Sequence, residues 1–260
     1  MSGHVINVGN FKGGVGKTTT STLFAYELSK TGRNTLVLDF DPQANATDIL
    51  LRTAGLELPE RTIYSGLKAK KLDDCIINIK ENLDLIPANL DLVGFPLFLN
   101  EVSNNDLKNR AYYLDFLLRP LREKYDYIII DVPPTISDFT NNAIVASDYV
   151  LIVMQTQERS LSATEKFIPY LEQMVETYEA NIGLLGIVPV LIKSGGSVDQ
   201  YILNEARKEF GDDLLNSTIK LRERIKRFDV QGITEEDTHD KEALKLFNNL
   251  TMELIERVEG

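Results

Sequence analysis

A glycine-rich loop that contains two lysines is the part of the sequence with the clearest chemistry. It has the letters KGGVGKTT and follows an apolar run that starts at Val5. Glycines let the backbone curl so that successive N–H groups point inward, and the N-terminus of a following helix adds partial positive charge. In such a loop Lys17 would neutralise the β- and γ-phosphates of a nucleotide, and the Thr18 hydroxyl would ligate Mg²⁺. The predicted nucleotide-binding residues are Lys12, Gly13, Gly14, Val15, Gly16, Lys17, Thr18 and Thr19.

This phosphate loop, residues Lys12–Thr18, departs from the common pattern G-x-x-x-x-G-K-[ST] at one position. The first glycine of that pattern would stand at position 11, where the sequence has Phe11, and the loop carries the extra lysine, Lys12. Glycine-rich turns after strands are common, but a turn alone does not require two lysines and a threonine at these places. The sequence therefore indicates a variant phosphate-binding loop.

Acidic residues follow two other apolar runs of the chain. Asp39 and Asp41 come after Thr35–Leu38, and Asp131 comes after Tyr127–Ile130. Each could be a loop starter or a helix cap if it stood alone. Ligands of open parallel sheets bind beyond the carboxyl ends of strands, so carboxylates delivered there beside a phosphate loop favour a site for Mg²⁺ and water.

Short apolar or β-branched runs recur along the chain, and enough residues separate them for crossover helices. Several runs are apolar at nearly every position, which a strand needs when both of its faces are covered. We therefore expect an α/β fold with a doubly wound, mostly parallel sheet flanked by helices, and residues 1–260 forming a single domain. The expected strands are Val5–Val8, Thr35–Leu38, Leu83–Ile86, Tyr127–Ile130, Tyr149–Met154 and Leu184–Ile192. The expected helices are Thr18–Lys30, Asn105–Lys124, Leu161–Tyr178, Ser197–Phe210 and Lys241–Val258, and loops or a subunit interface are expected at Pro59–Ser65 and Phe95–Asn105.

The composition limits the cellular compartments and the kinds of binding partner that we expect. A single cysteine, Cys75, cannot form an internal disulfide, which favours a reducing cytoplasmic compartment. For Cys75 itself we expect a half-buried position in a strand. The sequence shows no signal peptide and no apolar run long enough to span a bilayer, so we expect a soluble protein. A net charge of −11 argues against generalised attraction to nucleic acid or anionic lipid. Binding to either would need a local basic patch.

Three segments in order, KGGVGKTTT, DFDPQANAT and YIIIDVPPT, closely resemble the ParA/Soj partition ATPases of the deviant-Walker superfamily that also holds MinD. The resemblance continues through NLDLIPANL and LIVMQTQERSLSA to a C-terminal helix. It implies a fold of the P-loop NTPase type, with ATP and Mg²⁺ as cofactors. It also implies an ATP-driven sandwich homodimer in which Lys12 reaches the partner subunit's phosphates, whereas Lys17 and Thr18 act within their own subunit.

The same resemblance implies roles for the acidic residues. Asp41 would orient or activate the attacking water, with Lys12 and Lys17 as the other catalytic residues. Asp39 and Asp131 would support Mg²⁺ through waters, beside Thr18. Phosphoryl transfer needs mainly positioning and charge neutralisation from the protein, so slow hydrolysis under the control of a partner is physically reasonable.

The segment Lys220–Arg227, which we call the basic segment, reverses the local charge of this acidic chain. It holds five basic residues and one acid, a net charge of +4. The resemblance implies non-specific DNA binding by the ATP dimer through this segment, a ParB-like centromere-binding partner that stimulates hydrolysis, and a nucleoid-associated cytoplasmic location. An ordinary solvated helix face or a set of ion pairs would give the same pattern. The predicted DNA-binding residues are Lys220, Arg222, Arg224, Lys226 and Arg227.

Two features of the family are absent from this sequence or changed in it. Members commonly have Gln at the place of Phe11, and they have a Pro-Arg-Asn run near the basic segment that helps to hold adenine. Neither Pro nor Asn occurs between Ile219 and Phe228, so the adenine contacts stay unassigned, with backbone groups around Lys220–Arg222 as a guess.

Other functional classes fit the sequence less well. A MinD-like membrane-associated positioning ATPase is the alternative, but the tail Lys241–Gly260 holds three basic and four acidic residues, and its apolar stripe is typical of a core-facing helix. We therefore expect no stable membrane association. A nitrogenase-reductase-like carrier would need paired cysteines, and an export-type tyrosine kinase would need a tyrosine-rich tail, whereas the last tyrosine here is Tyr201. A binding module without turnover remains open and would be separated by a phosphate-release assay.

Overall fold

The structure, a computed structural model, describes residues 3–104, 106–192 and 196–260. Within these residues the strands form one sheet of eight, in the order β3-β4-β2-β5-β1-β6-β7-β8. Neighbouring strands run parallel, apart from β3, which pairs antiparallel with β4. The strands are β1 His4–Gly9, β2 Thr35–Asp39, β3 Ile77–Lys80, β4 Leu83–Ile86, β5 Tyr127–Asp131, β6 Tyr149–Gln155, β7 Gly183–Ile192 and β8 Ile219–Lys220. The predicted doubly wound, mostly parallel α/β fold is confirmed.

Helices cover both faces of the sheet, which explains the continuous apolar strands. On β1, Ile6 and Val8 pack into one buried cluster together with residues of the first and last helices, while Val5 packs into a second cluster on the other face. The helices are α1 Lys17–Lys30, α2 Asn45–Ala54, α3 Ile63–Ala69, α4 Phe95–Val102, α5 Leu107–Ala111, α6 Tyr113–Leu118, α7 Asp138–Val145, α8 Glu158–Tyr178, α9 Ser197–Phe210, α10 Glu223–Gln231 and α11 Thr238–Glu259.

The chain between β4 and β5 differs from the prediction. The expected helix 105–124 is wrong as one element: residues 107–118 form α5 and α6, a short 3₁₀ turn follows at Leu121–Glu123, and Asn105 lies outside the described residues. Pro120 has no backbone N–H to continue the helical hydrogen bonds, which accounts for the end of α6 at Leu118 although Arg119 keeps helical dihedral angles. Of the two alternatives expected at Pro59–Ser65 and Phe95–Asn105, loops are wrong for 63–65 and 95–102, because α3 and α4 occupy them and bury Ile63, Phe95 and Leu99. A subunit interface at these segments stays a prediction.

The C-terminal helix packs as the sequence predicted. Leu244, Phe247, Leu250, Leu254 and Ile255 are buried and belong to the same core cluster as the apolar residues of α1. Across the described residues, every helix is too short or too polar to cross a membrane. Cys75 is buried, but at the end of a 3₁₀ turn, Asp73–Cys75, and not in the predicted strand.

Candidate functional site

The phosphate loop connects β1 to α1 at the carboxyl edge of the sheet. Gly14 and Gly16 have φ values of 72° and 91°, in the left-handed region that favours glycine. Val15 is fully buried between them and fixes the loop against the core. Helix α1 begins at Lys17, so the backbone amides of its first turn are directed toward the space above the loop.

Asp131 ties the start of α1 to the end of β5. Its carboxylate accepts hydrogen bonds from the Thr18 hydroxyl at 2.7 Å and from the Ser21 hydroxyl at 2.8 Å, and the side chain is fully buried. The structure thus brings together two of the three predicted metal-site residues. Ser21 was not predicted to be a site residue, although its position three residues after Thr18 places both hydroxyls on one face of α1.

Asp39, the third predicted metal-site residue, lies opposite Asp131 in the register of β2 and β5. Its oxygens accept hydrogen bonds from the backbone N–H and hydroxyl of Thr47, both at 2.8 Å, and from the N–H of Asp41 at 3.1 Å. Burial and the neighbouring Asp131 carboxylate raise the pKa of Asp39 above its usual range. Burial likewise raises the pKa of Asp131, although the hydrogen bonds from Thr18 and Ser21 and the charge of Lys17 lower it in part. A cation bound near these two buried carboxyls would favour their ionised forms and so lower both pKa values.

The donor set fits Mg²⁺ that is shared with phosphates. The described residues contain no group of three or more His, Cys, Asp or Glu side chains that could enclose a metal by themselves. Mg²⁺ is usually held in proteins by one or two oxygen ligands, with waters and substrate phosphates completing the octahedron. The hydroxyl of Thr18 beside Asp131 and Asp39 supplies such a partial set.

Lys17 and Asp41 are both buried and line one cavity beside the phosphate loop. Burial lowers the pKa of Lys17, although the charges of Asp131 and Asp41 act in the opposite direction. The Lys17 ammonium donates to the backbone oxygen of Lys12 at 3.4 Å. Asp41 accepts from the N–H of Gln43 at 2.9 Å, which fixes the orientation of its carboxylate. A phosphate group placed here would therefore meet a desolvated cation on one side and an oriented carboxylate nearby.

The Lys12 side chain is bonded to residues at the end of β6 and just before α8. Its ammonium donates to the side-chain oxygens of Gln155 and Gln157, both at 2.9 Å. The Gln155 amide nitrogen donates to the backbone oxygen of Gly14 at 2.9 Å. The two glutamines were not predicted from the sequence, because nothing in the sequence shows that the end of β6 lies beside the loop.

A cavity of about 570 Å³ extends from the phosphate loop toward β8 and α10, a size typical of small-ligand sites. Lys17, Thr18 and Asp41 line the cavity at the end near the phosphate loop. Residues of α2, α10, β7 and β8 line the other end. Its apolar lining consists of Ile49, Val132, Val190, Leu191, Ile219, Leu221, Ile225 and Phe247. Leu221 and Arg222 line this wall, and the guess that backbone groups around Lys220–Arg222 contact adenine stays a prediction.

Asp229 also lines this cavity and was not predicted to be a site residue. Its carboxylate accepts from the Thr19 hydroxyl at 3.1 Å, and burial raises its pKa. This contact joins the predicted nucleotide-binding residue Thr19 to α10 across most of the length of the chain.

Some of the cations of the basic segment form ion pairs with nearby acidic residues. Arg224 pairs with Asp237 at 2.6 Å and with the fully buried Asp240, while Arg222 pairs with Glu242 at 2.9 Å. Lys226 pairs with Glu223 at 2.7 Å, a contact between exposed side chains. Lys220 and Arg227 are exposed, and within the described part of the chain they make no ion pair. Arg222 and Lys226 also line the nucleotide-sized cavity.

The variant loop at the carboxyl ends of parallel strands, with Lys17, Thr18 and Asp131 at one end of this cavity, defines a P-loop nucleotide-binding protein of the deviant-Walker class. The AAA domain family matches residues 3–184. The chromosome partitioning protein ParA of Myxococcus xanthus is 33% identical over 214 residues, which cover 80% of this chain and 72% of that protein. The sporulation initiation inhibitor protein Soj of Bacillus subtilis is 30% identical over 227 residues, or 86% of each chain. The chain belongs to the ParA/Soj-type ATPases.

Solved structures show the same fold. A putative plasmid partition protein of Borrelia burgdorferi bound to AMPPNP is 26% identical and covers 98% of each chain, with a TM-score of 0.77. The apo McdA structure from Cyanothece has a TM-score of 0.84 at 24% identity, covering 96% of this chain and 99% of that one. A cobyrinic acid a,c-diamide synthase from Mycobacterium smegmatis, bound to an ATP analogue and magnesium, has a TM-score of 0.81 at 22% identity and covers 96% and 93%.

Proposed function

We propose that this chain is an ATP-dependent DNA-segregation ATPase for a plasmid or chromosome, which binds non-specific DNA as an ATP dimer and is released after hydrolysis. The observation that carries the proposal is the arrangement around the cavity: Lys17 is buried, Thr18 is bonded to Asp131, Asp41 is oriented, and a second lysine, Lys12, belongs to the same loop. Membership of the ParA/Soj-type ATPases supports it. We treat residues 1–260 as one ATPase domain, because the sheet spans residues 4–220 and α11 packs on α1.

MgATP is the substrate in this proposal. Mg²⁺ would neutralise charge on the phosphates, held by Thr18 with Asp39 and Asp131 in support. Lys17 stabilises negative charge on the phosphates, and the loop amides fix their position. Asp41, which lines the cavity, orients the attacking water. Nearly all of the catalysis is therefore positioning and electrostatic stabilisation.

The loop also provides for a second subunit. Lys17 lines the cavity and can contact the phosphates from within the chain, whereas the Lys12 ammonium is bonded to Gln155 and Gln157. In the proposed sandwich dimer Lys12 reaches the phosphates of the partner. Each site is then complete only in the ATP dimer, so hydrolysis is linked to assembly.

We propose that DNA binds through the basic segment, with unequal contributions from its members. Lys220, Lys226 and Arg227 are exposed, so their charges are available to DNA phosphates. Arg224 is held by Asp237 and by the buried Asp240, and so contributes mainly to the structure of the segment. Arg222 lies at the rim of the cavity and pairs with Glu242.

The remaining parts of the proposal concern the partner and the location. A ParB-like centromere-binding protein would stimulate hydrolysis and release, and the ATP dimer would lie on the nucleoid in the cytoplasm. The named ParA and Soj relatives support these points at the level of the family. The MinD-like alternative gains no support from α11, because its apolar stripe is buried against the core.

The proposal is tested by sedimentation velocity with ADP, ATP and a non-hydrolysable ATP analogue, each with and without a DNA duplex. We expect a monomer with ADP, a dimer with ATP, and DNA binding that accompanies the dimer. A monomer under all conditions would overturn the proposed cycle. Phosphate release measured in parallel separates an ATPase from a binding module.

The role of Asp41 is tested with Asp41→Ala. We expect this variant to keep ATP-dependent dimerisation and to lose hydrolysis at least about 100-fold, the size of effect that a residue positioning a reactant can have. Glu165→Ala, which removes an exposed carboxylate on α8, is the control and should leave turnover unchanged. Unchanged turnover in Asp41→Ala would refute the assignment.

A further inference from the structure

The end of β6 and the start of α8 form the immediate surroundings of Lys12. We call residues Gln155–Glu158 the β6–α8 junction. The side-chain oxygens of Gln155 and Gln157 both lie 2.9 Å from the Lys12 ammonium. No acidic side chain of the described residues pairs with Lys12. Two neutral oxygens therefore hold a full positive charge.

The two glutamines are themselves fixed in place. Gln155 is 8% exposed, its backbone N–H donates to the Ser160 hydroxyl at 3.0 Å, and its amide nitrogen donates to Gly14. Gln157 is the residue before α8, and its N–H donates to the Gln155 backbone oxygen at 2.8 Å. The backbone at both glutamines is thus fixed by contacts within the β6–α8 junction, and the Gln155 side chain is held in addition by its bond to Gly14.

The backbone beside Lys12 is anchored to the same region by separate contacts. The Asn10 amide donates to the Val153 backbone oxygen at 2.9 Å and to the Thr164 hydroxyl at 3.2 Å. The ring of Phe11 packs edge to face on Phe167, with centroids 4.6 Å apart. The Lys12 side chain can therefore leave Gln155 and Gln157 while the loop backbone stays where it is.

We propose that Gln155 and Gln157 are positioning residues that hold Lys12 on its own subunit and so set the ATP concentration at which two subunits join. This inference rests on the proposed function, in which Lys12 moves to the partner's phosphates. A phosphate anion is a stronger acceptor for an ammonium than an amide oxygen, because charge-assisted hydrogen bonds between two ions exceed those with one neutral partner. The two amide contacts therefore prevent premature assembly without preventing the transfer.

Gln157 is the better of the two to change, because it is exposed whereas Gln155 also supports Gly14. Gln157→Ala removes one acceptor, and Gln157→Glu replaces it with a charged one. If the contact holds Lys12 back, dimerisation with a non-hydrolysable ATP analogue should tighten in Gln157→Ala by about three- to tenfold for each subunit, the net value of one solvent-exposed hydrogen bond. It should weaken in Gln157→Glu. Gln173→Ala and Gln173→Glu make the same changes at an exposed position of α8 and serve as matched controls.

A second readout follows Lys12 in the monomer. With ADP bound, trace labelling by an amine-specific reagent, analysed by mass spectrometry, should be several-fold faster at Lys12 in Gln157→Ala and slower in Gln157→Glu than in the unaltered protein. The opposite signs of the two variants distinguish a hold on Lys12 from general damage to the junction.

The outcomes separate this inference from the proposed function. If the unaltered protein stays monomeric with ATP, the proposed function fails, and labelling alone decides whether Lys12 is held. If it dimerises but neither Gln157 variant shifts the dimer equilibrium or the labelling, the hold is overturned. Weaker dimerisation in Gln157→Ala would also overturn it, since that result would mean that Gln157 contacts the partner subunit.

Discussion

Lys17 shows how the requirements of the site differ from those of the fold. Its ammonium is buried, and this burial lowers its pKa against the opposing charges of Asp131 and Asp41. Its hydrogen bond in the described residues is a long one, to the backbone oxygen of Lys12. Such a desolvated cation is unfavourable for the nucleotide-free protein and favourable once phosphate is bound. The free energy of burying Lys17 is therefore recovered in the affinity for the nucleotide.

We predict that Lys17→Ala weakens binding of a non-hydrolysable ATP analogue at least about tenfold, because it removes a charge-assisted contact worth about 1.5–3 kcal/mol. Isothermal titration calorimetry in the presence of Mg²⁺ measures the change. Lys166→Ala, which removes an exposed lysine of α8, is the matched control. Equal affinities for the two variants would contradict the position assigned to Lys17.

Site residues could be predicted when they lie close together in the sequence, and could not when their partners lie far away in it. Lys17, Thr18 and the loop glycines lie in one short segment, so their spacing alone indicates their chemistry. Ser21 and Gln155 act through partners 110 and 141 positions away, Asp131 and Gly14 respectively. A single sequence does not encode such pairs in any periodic pattern, and the fold is needed to bring them together.

At the scale of elements, the aromatic contact between the loop and α8 accounts for the unusual residue at position 11. Phe11 packs on Phe167 and on Tyr170, with centroid distances of 4.6 and 5.1 Å. The Tyr170 hydroxyl in turn donates to Asn141 of α7. The residue that departs from the common loop pattern is thus the one that fastens the loop to the helical layer.

We predict that Phe11→Leu lowers the free energy of unfolding by about 1–2 kcal/mol, through the lost aromatic pairs and an imperfectly filled space. Urea denaturation measures the effect. Phe116→Leu, at a ring that is 58% exposed on α6, should change it by less than about 0.5 kcal/mol. Similar losses for both variants would mean that the Phe11 ring is not a specific anchor.

Strands were predicted better than helices for a physical reason. The central strands are buried on both faces and therefore apolar throughout, which leaves a local signal in the sequence. Helices α2, α7 and α10 went unpredicted. On α10, for example, two residues are buried, Ile225 and Phe228, and charged residues fill much of the remainder. The two-residue strand β8 is too short to leave any pattern.

The contact between α10 and the start of α11 gives a prediction for Arg224. Burial alone would raise the pKa of Asp240, but hydrogen bonds from Arg224, Thr234 and the Glu236 N–H hold it at about 2. Because the folded-state pKa lies below the usual value near 4, this carboxylate stabilises the fold above about pH 4, and that contribution is lost as the pH falls toward 2. Arg224→Ala should therefore lower the urea midpoint at pH 7 and have a smaller effect near pH 3. Arg227→Ala, which breaks no ion pair of the described residues, should leave the midpoint unchanged at both pH values.

At the scale of the whole molecule, the charge distribution limits how this protein can bind DNA. A chain with a net charge of −11 repels DNA on average, so the proposed DNA binding would depend on a few exposed cations and on their duplication in the proposed dimer. The predicted charge reversal at the basic segment was visible in the sequence. The ion pairs with Asp237, Asp240 and Glu242 were not, since the sequence gives no indication that α11 begins beside α10.

The salt dependence of DNA binding by the ATP dimer tests which cations take part. If Lys226 and Arg227 each neutralise one phosphate in each subunit, the double variant Lys226→Ala, Arg227→Ala should reduce the slope of log K against log salt by about 3–4, at roughly 0.9 per phosphate. Fluorescence anisotropy of a labelled duplex at several salt concentrations, with the non-hydrolysable ATP analogue, measures the slope. The double variant Lys241→Ala, Lys245→Ala removes the same charge from exposed positions of α11 and should weaken binding without a comparable change of slope. Equal changes for the two double variants would show that DNA responds to the net charge of the molecule and not to the basic segment.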